Sequence, residues 1–246
     1  MKVLFVVTSA IHTKFGVYSK NERIQQTLDT FKSIEHQMGK TPEVQYDICL
    51  IEMGQEKLTP AEERLFEPYV NYLFDYTGDE QILEISQSPN WDIVKSSTEM
   101  LCFWNTITTA SNTGVTDGAM SIYRYDRVFK VSGRYTLTDD FNVYEHLNTD
   151  MVVFAQKRDS QFKPETTLGR TKQYMTRLWS WPVAKTADVL RAYSTAIDDH
   201  ANTIQRGGYV DIEHLLYQHI PQSIVKELPV IGICGNISPN GVQVND

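Results

Sequence analysis

The chain has 246 residues, 41% of them hydrophobic and 22% charged, and a formal net charge of −8 at neutral pH. That length supports one sizeable core, and the acidic balance excludes a protein that grips a nucleic-acid backbone by bulk electrostatics, which takes many Lys and Arg contacts. The apolar run behind Met1-Lys2 is too short for a signal-peptide core or a membrane span. Cys49, Cys102 and Cys234 form no CxxC pair, so the expectation is a cytoplasmic protein with reduced thiols and no membrane span.

Residues 2–9 are almost continuously apolar, the pattern of a strand covered on both faces within a parallel sheet. Ile24, Leu28, Phe31 and Ile34 then recur at helical spacing behind Asn21, a residue suited to a cap, and Gly39 and Pro42 end that helix. Residues 46–52 repeat the strand pattern, which predicts a β-loop-α-β opening with two parallel strands. Thr59-Pro60 reads as a capped helix start, and residues 72–76 and 82–85 are weaker strand candidates. Residues 91–110 suit a helix with Ser96 or Ser97 near its start, and 128–131 and 151–156 are further strands. Beyond these, 187–201 and 211–219 read as helices, 229–234 as a late strand or extended segment, and Ser238-Pro239-Asn240-Gly241 as a turn. The alternation across the first 155 residues indicates an α/β layer architecture.

The loop after the first strand, residues 8–16, contains neither GxGxxG nor GxxxxGK[ST], which counts against a classical dinucleotide site and a P-loop. It also lacks the Gly-rich loop of a sugar nucleotidyltransferase, and GxSxG and HExxH are absent from the chain. His214 and His219 are five apart and do not share a helix face. Chemistry is expected instead where residues 126–131 run into Ser132-Gly133-Arg134-Tyr135, because open parallel sheets bind ligands beyond the carboxyl ends of their strands. Gly133 would let backbone approach a bound group closely, and Arg134 supplies a permanent cation.

Taken in order, the features are a first strand ending in Thr8-Ser9, a helix bearing Arg23, a second strand ending in Glu52, a helix start from Lys95 to Glu99, and a strand ending Lys130-Val131-Ser132-Gly133-Arg134-Tyr135. This order resembles the nucleotide-binding half of a GT-A type glycosyltransferase, of the bacterial and viral polysaccharide kind, over roughly residues 1–155. Weaker echoes lie in residues 176–182 and in Asp211-Ile212-Glu213. The resemblance implies a GT-A-like, Rossmann-type, mostly parallel sheet flanked by helices. It also implies a single domain over 1–246, with a nucleotide-sugar-binding part (1–155) and a mixed acceptor-side part (156–246). It implies transfer of a sugar from a nucleotide-sugar donor, a UDP- or GDP-sugar, to a glycan or other hydroxyl acceptor.

Most members of that superfamily carry Asp-x-Asp where this chain has Ser132-Gly133-Arg134, which leaves dependence on a divalent metal (Mn or Mg) open. A guanidinium meets diphosphate oxygens bidentately, so Arg134 can take over leaving-group neutralisation. Asp139 and Asp140 would hold a metal only if the turn folds back. On this resemblance Thr8 and Ser9 contact base or ribose, Glu52 accepts from a ribose hydroxyl or base N–H, and Lys95 with Ser96 meets phosphate near a helix N-terminus. Asp140 and Glu213, then Asp139 and Asp211, are the candidate general bases. Trp179, Trp181 and Tyr135 are candidates for stacking on sugar rings. The competing readings are a noncatalytic nucleotide- or carbohydrate-binding module on a degenerate fold, and a nucleotidyltransferase, which the first loop disfavours.

Overall fold

The computed structural model describes residues 1–114, 119–237 and 241–246. The expected turn at 238–241 falls, for residues 238–240, outside the described residues. The chain opens with strand β1 (Lys2–Ser9), helix α1 (Lys20–Gly39) and strand β2 (Gln45–Glu52), and β1 and β2 pair in parallel as their shared apolar pattern requires. The cap of helix α1 lies two residues before Asn21, at Ser19, because Ser19 places Glu22 where the two residues cap one another reciprocally. Helix α2 (Pro60–Phe66) has the same capping box between Thr59 and Glu62, with proline in its first turn.

Strand β3 (Tyr72–Asp75) follows, paired with β2. Residues 82–85, read from the sequence as a weak strand, lie instead in helix α3 (Glu80–Ser86). Asp79 caps it by accepting the Ile82 N–H at 3.1 Å. Helix α4 (Trp91–Asn112) is capped by Asn90 and leads to strand β4 (Arg127–Ser132), the short strand β5 (Tyr135–Leu137), helix α5 (Val143–Leu147) and strand β6 (Val152–Ala155). Strands β7 (Arg158–Asp159) and β8 (Lys172–Gln173) form a two-stranded ribbon. Strand β9 (Leu178–Pro182), helix α6 (Thr186–Gln205), helix α7 (Ile212–His219) and strands β10 (Val225–Leu228), β11 (Ile233–Asn236) and β12 (Gln243–Asn245) complete the chain. The late strand expected at 229–234 is split. Residues 229–232 turn between β10 and β11, with Gly232 at a φ of 80°.

The main sheet among the described residues runs β10-β6-β9-β4-β1-β2-β3. All its neighbours pair in parallel except β9, which lies antiparallel to both β4 and β6. Alternating side chains of β1 sort the core into two layers. Leu4 and Val6 pack with α4, α6 and α7, whereas Val3, Phe5 and Val7 pack with α1 and the β5 side. The continuous apolar run of β1 exists because both faces are covered; Val3 to Val7 have no exposed surface. Trp179 and Trp181 of β9 are fully buried among Phe103, Phe154 and Tyr193, so the sugar-stacking role expected of them is corrected to a core role. The three cysteines are free, and no helix among the described residues is long and apolar enough to cross a membrane.

A second sheet, β12-β11-β5, is antiparallel and holds the backbone just beyond Arg134. Its corner depends on Gly232, whose carbonyl accepts from Thr138 N–H and whose ideal Cβ would lie 2.2 Å from Phe141 N. With a left-handed φ and a backbone clash together, Gly232→Ala is expected to destabilise the chain by more than about 2 kcal/mol in chemical denaturation. A loss below about 0.5 kcal/mol would contradict this account of the corner.

Candidate active site

The carboxyl ends of β1 and β4 open into a cleft with two basins that share Lys95, Glu99, Ser132 and Arg134. The first lies between the loop after β1, residues 53–55 after β2, and the first turns of α4 from Trp91 to Glu99. The second has a volume of about 310 Å³ and is bounded by Tyr135, Gln161-Phe162, Met175 to Arg177, Tyr209, Asp211 and Glu213.

Beneath the junction lies a buried ion pair. Lys130 sits in the middle of apolar β4 with no exposed surface, and its Nζ donates to Glu99 Oε1 at 2.5 Å, Ser132 Oγ at 2.7 Å and the Thr176 carbonyl at 3.0 Å. All three ammonium protons are used, as burial of such a charge demands. Glu99 Oε1 also accepts from Thr8 Oγ1 at 3.4 Å. Burial alone would raise the Glu99 pKa, but the charges of Lys130 and Lys95 outweigh it and hold the carboxyl below its ordinary range.

Above this pair the balance tips towards positive charge. Arg134 is half-buried, its Nε is buried without a hydrogen-bond partner, and among the described residues it has no ion-pair partner. Its guanidinium carbon lies 5.8 Å from the Tyr135 ring centroid. Two further cations feel its charge. Burial and then repulsion by Arg134 lower Arg23 to about 10. Lys95 is depressed by burial and opposed by Arg134, yet Glu213, Glu99 and Asp211 hold its ammonium above the ordinary value. Three like charges converging at the end of a strand form a seat for an anion.

The two acids at the start of α7 differ in environment. Asp211 caps the helix, accepts from His214 Nδ1 at 2.5 Å and from Gln161 Nε2 at 3.3 Å; although burial opposes it, the bond to His214 keeps its pKa low. Glu213 accepts from Thr176 Oγ1 at 3.0 Å through Oε1, while its Oε2 is buried without a partner. Burial and the neighbouring Asp211 charge raise its pKa.

Thr8, Ser9, Lys95, Ser132, Arg134 and Glu213 thus all line the cleft. Glu52 and Gly133 stand beside it. Glu52 is fully buried, and its Oε1 accepts from the Ile11 and Gly54 N–H groups, both at 2.9 Å, tying together the loops after β1 and β2. The close approach that Gly133 permits is to the protein itself: its N–H donates to the Thr8 carbonyl at 2.8 Å, and a Cβ would press on Thr8 O and Val7. Ser96 is fully buried and is bonded to Tyr209 Oη at 2.9 Å. Asp140 is exposed beyond the far end of β5 and lines neither basin, and Asp139 beside it is paired with Lys40 at 2.7 Å. The turn therefore does not fold back, and Asp140 is not brought to the cleft. Arg23, Trp91, Thr176 and Arg177 line the cleft without having been singled out as site residues. A signal existed for the ion pair beneath them, since a lysine inside Val128-Phe129-Lys130-Val131 requires a buried anion.

The residues at the end of β4 do not fit a divalent metal. Where two carboxylates would stand, Ser132 Oγ accepts from an ammonium and Arg134 presents a cation, while the nearest carboxylate, Glu99, is bonded to Lys130. Among the described residues no three His, Cys, Asp or Glu side chains are grouped to hold a metal.

No protein-family model matches the sequence, and no curated protein matches it. Among solved structures, the galactosyltransferase LgtC in complex with donor and acceptor sugar analogs is similar to this chain, with a TM-score of 0.50 and 9% identity over 92% of this chain and 73% of LgtC. Mouse xyloside xylosyltransferase 1 gives a TM-score of 0.49 and 7% identity, over 93% of this chain and 85% of its own. The chain has a GT-A-like α/β fold, a mostly parallel sheet flanked by helices.

Two measurements test the electrostatics. Lys130→Met would leave Glu99 buried and unpaired, and is expected to cost about 3–5 kcal/mol in denaturant unfolding; Lys130→Met combined with Glu99→Gln should recover part of that loss. Burial raises Glu52 to about 7. A raised carboxyl favours the folded state below its unfolded pKa, and that contribution is lost as pH rises through about 7. Glu52→Gln keeps an oxygen for the Ile11 and Gly54 N–H groups, so its melting temperature relative to the unsubstituted chain should climb between pH 5 and pH 8. A constant difference would show that Glu52 ionises without penalty.

Proposed function

We propose that this chain is a glycosyltransferase that moves a sugar from a nucleoside-diphosphate donor to a hydroxyl group of a glycan or related acceptor. The observation that carries the proposal is the Arg134 guanidinium, without an ion-pair partner among the described residues, at the junction of the two basins and facing the charges of Arg23 and Lys95. The LgtC likeness supports the fold on which this arrangement is built. The donor nucleotide occupies the first basin, whose walls come from residues before 155, and its diphosphate reaches the shared junction. The acceptor enters the second basin, whose walls draw on residues 161–213.

In this reading the acceptor oxygen attacks the anomeric carbon and the bond from that carbon to the β-phosphate oxygen breaks, its electron pair leaving with the diphosphate. Arg134 and Lys95 neutralise the charge developing there, which is a larger effect in a water-poor cleft than in bulk solvent. Glu213 takes the acceptor proton. Its buried, partly unpaired carboxyl with a raised pKa suits a base working near neutral pH. Single displacement with such a base inverts the anomeric centre. Thr8 and Ser9 stand where β1 ends, within reach of a ribose or base. No step is routed through a metal, because the end of β4 offers a cation where a metal would need carboxylates.

Calorimetry with uridine and guanosine diphosphates and their sugars, with and without manganese, tests the reading. Binding that does not require manganese, followed by slow hydrolysis of the donor, is expected. Arg134→Ala should lower turnover by about 10²–10³ while leaving the melting temperature within a few degrees. Tight binding without turnover would identify a noncatalytic module, and absence of binding would remove the proposal.

A further inference from the structure

Arg23 stands in an unusual position for a helix residue. It lies in the first turns of α1, is only 3% exposed, and yet lines the first basin on the same side as Arg134. Its guanidinium is strapped to the loop that precedes its own helix, with Nη2 donating to the Phe15 carbonyl at 2.7 Å and Nε to the Tyr18 carbonyl at 3.3 Å. That loop, residues 10–19, carries Thr13 into the basin wall and sends the Phe15 ring to within 4.9 Å of the Trp91 ring at the start of α4. Phe15 therefore links the loop after β1 to Trp91, which lines the basin from the α4 side.

Opposed forces act on the strap. Its hydrogen bonds hold the loop against the basin wall and the Glu52 and Glu22 charges favour the cation, while the Arg134 charge repels Arg23 and acts against its staying there. An anion resting on Arg134 cancels that repulsion, so the strapped arrangement becomes more favourable when the seat is filled. By reciprocity, holding the loop shut must then tighten anion binding by the same factor. We propose that Arg23 is a positioning residue that couples occupancy of the diphosphate seat to closure of loop 10–19 over the donor. This rests on the donor reading above. It assigns Arg23 no contact with the reacting atoms: Arg134 meets the diphosphate, and Arg23 reports its presence to the loop through charge and two carbonyl bonds. Lysine in its place retains the charge but lacks the fork that bridges two carbonyls.

Trypsin offers a readout that does not depend on turnover, because Lys14 is an exposed cleavage site inside the loop. The probe is uridine or guanosine diphosphate, whichever calorimetry shows to bind the full chain. Saturating diphosphate is expected to slow cleavage after Lys14 by about tenfold in the unsubstituted chain. Arg23→Lys should bind the same diphosphate about tenfold more weakly, by that reciprocity, and show no protection even when saturated, and Arg23→Ala should do the same. In steady state both variants should raise the donor KM by about tenfold at nearly unchanged kcat, with the acceptor KM unaltered. A merely structural arginine would instead shift acceptor and donor constants together. Protection of Arg23→Lys equal to that of the unsubstituted chain, or cleavage unaffected by bound diphosphate, overturns the coupling while leaving the donor reading standing. If neither diphosphate binds the unsubstituted chain, the donor reading fails and the coupling with it.

Discussion

The burial of Lys130 constrains everything around the cleft. An ammonium with no access to water must spend all its protons on protein acceptors, and here they come from three separate parts of the chain: Glu99 on α4, Ser132 at the end of β4, and the Thr176 carbonyl on the approach to β9. The pair is weak evidence for stability, since an apolar pair of similar shape could serve as well or better, but removing one partner alone is costly. Its consequence is geometric. It fixes α4 against the sheet so that Lys95, one turn before Glu99, faces the same opening as Arg134. It also engages Glu99, the carboxylate common to both basins, with a buried partner.

The cleft thus combines a satisfied interior charge with cations above it that are less fully compensated. Arg134 sits on the peptide just past Gly133, whose missing side chain lets the backbone lie against Thr8 and Val7, so the guanidinium emerges at the strand end rather than one residue later. On the opposite wall the first turn of α7 separates two acids by function. Asp211 is consumed by capping and by His214, and Glu213 retains an oxygen without a partner. Charge and its absence are therefore arranged on opposite walls of one cleft.

The strands of the first half were legible because burial on both faces leaves a continuous apolar run, which β1, β2 and β6 carry and which in β4 is interrupted by the buried Lys130. Leu178-Trp179-Ser180-Trp181-Pro182 was not read as a strand, although β9 pairs in the middle of the sheet. Aromatic residues interrupted by serine and proline fit several environments, and pairing with β4 and β6 decides among them. Residues 82–85 were misread because Ile82, Leu83 and Ile85 are apolar enough for a strand, while the cap at Asp79 governs the local backbone. At the site, Thr8, Ser9, Lys95 and Arg134 were recoverable because strand ends and helix starts converge at one sheet edge. Asp140 was not separable from Glu213 by sequence, as one acid follows a strand and the other opens a helix, both suitable places for a base; the direction in which β5 leaves the cleft divides them. Arg23 was noticed as a feature of its helix but given no role, because the carbonyl oxygens of Phe15 and Tyr18 that it binds leave no residue pattern.

The placement of β9 also bears on how the chain reaches its native state. Its neighbours β4 and β6 belong to earlier segments, and β9 must insert between them in the opposite direction. During synthesis β1, β2, β3 and β4 can assemble with α1 and α4 before residue 178 has emerged. Until then, the flank of β4 that will receive β9 presents unpaired N–H and C=O groups, as does β6. The nascent protein therefore passes through an interval with two open edges in what will become the centre of its sheet, a hazard for intermolecular pairing that ends when a segment bearing two tryptophans closes the gap.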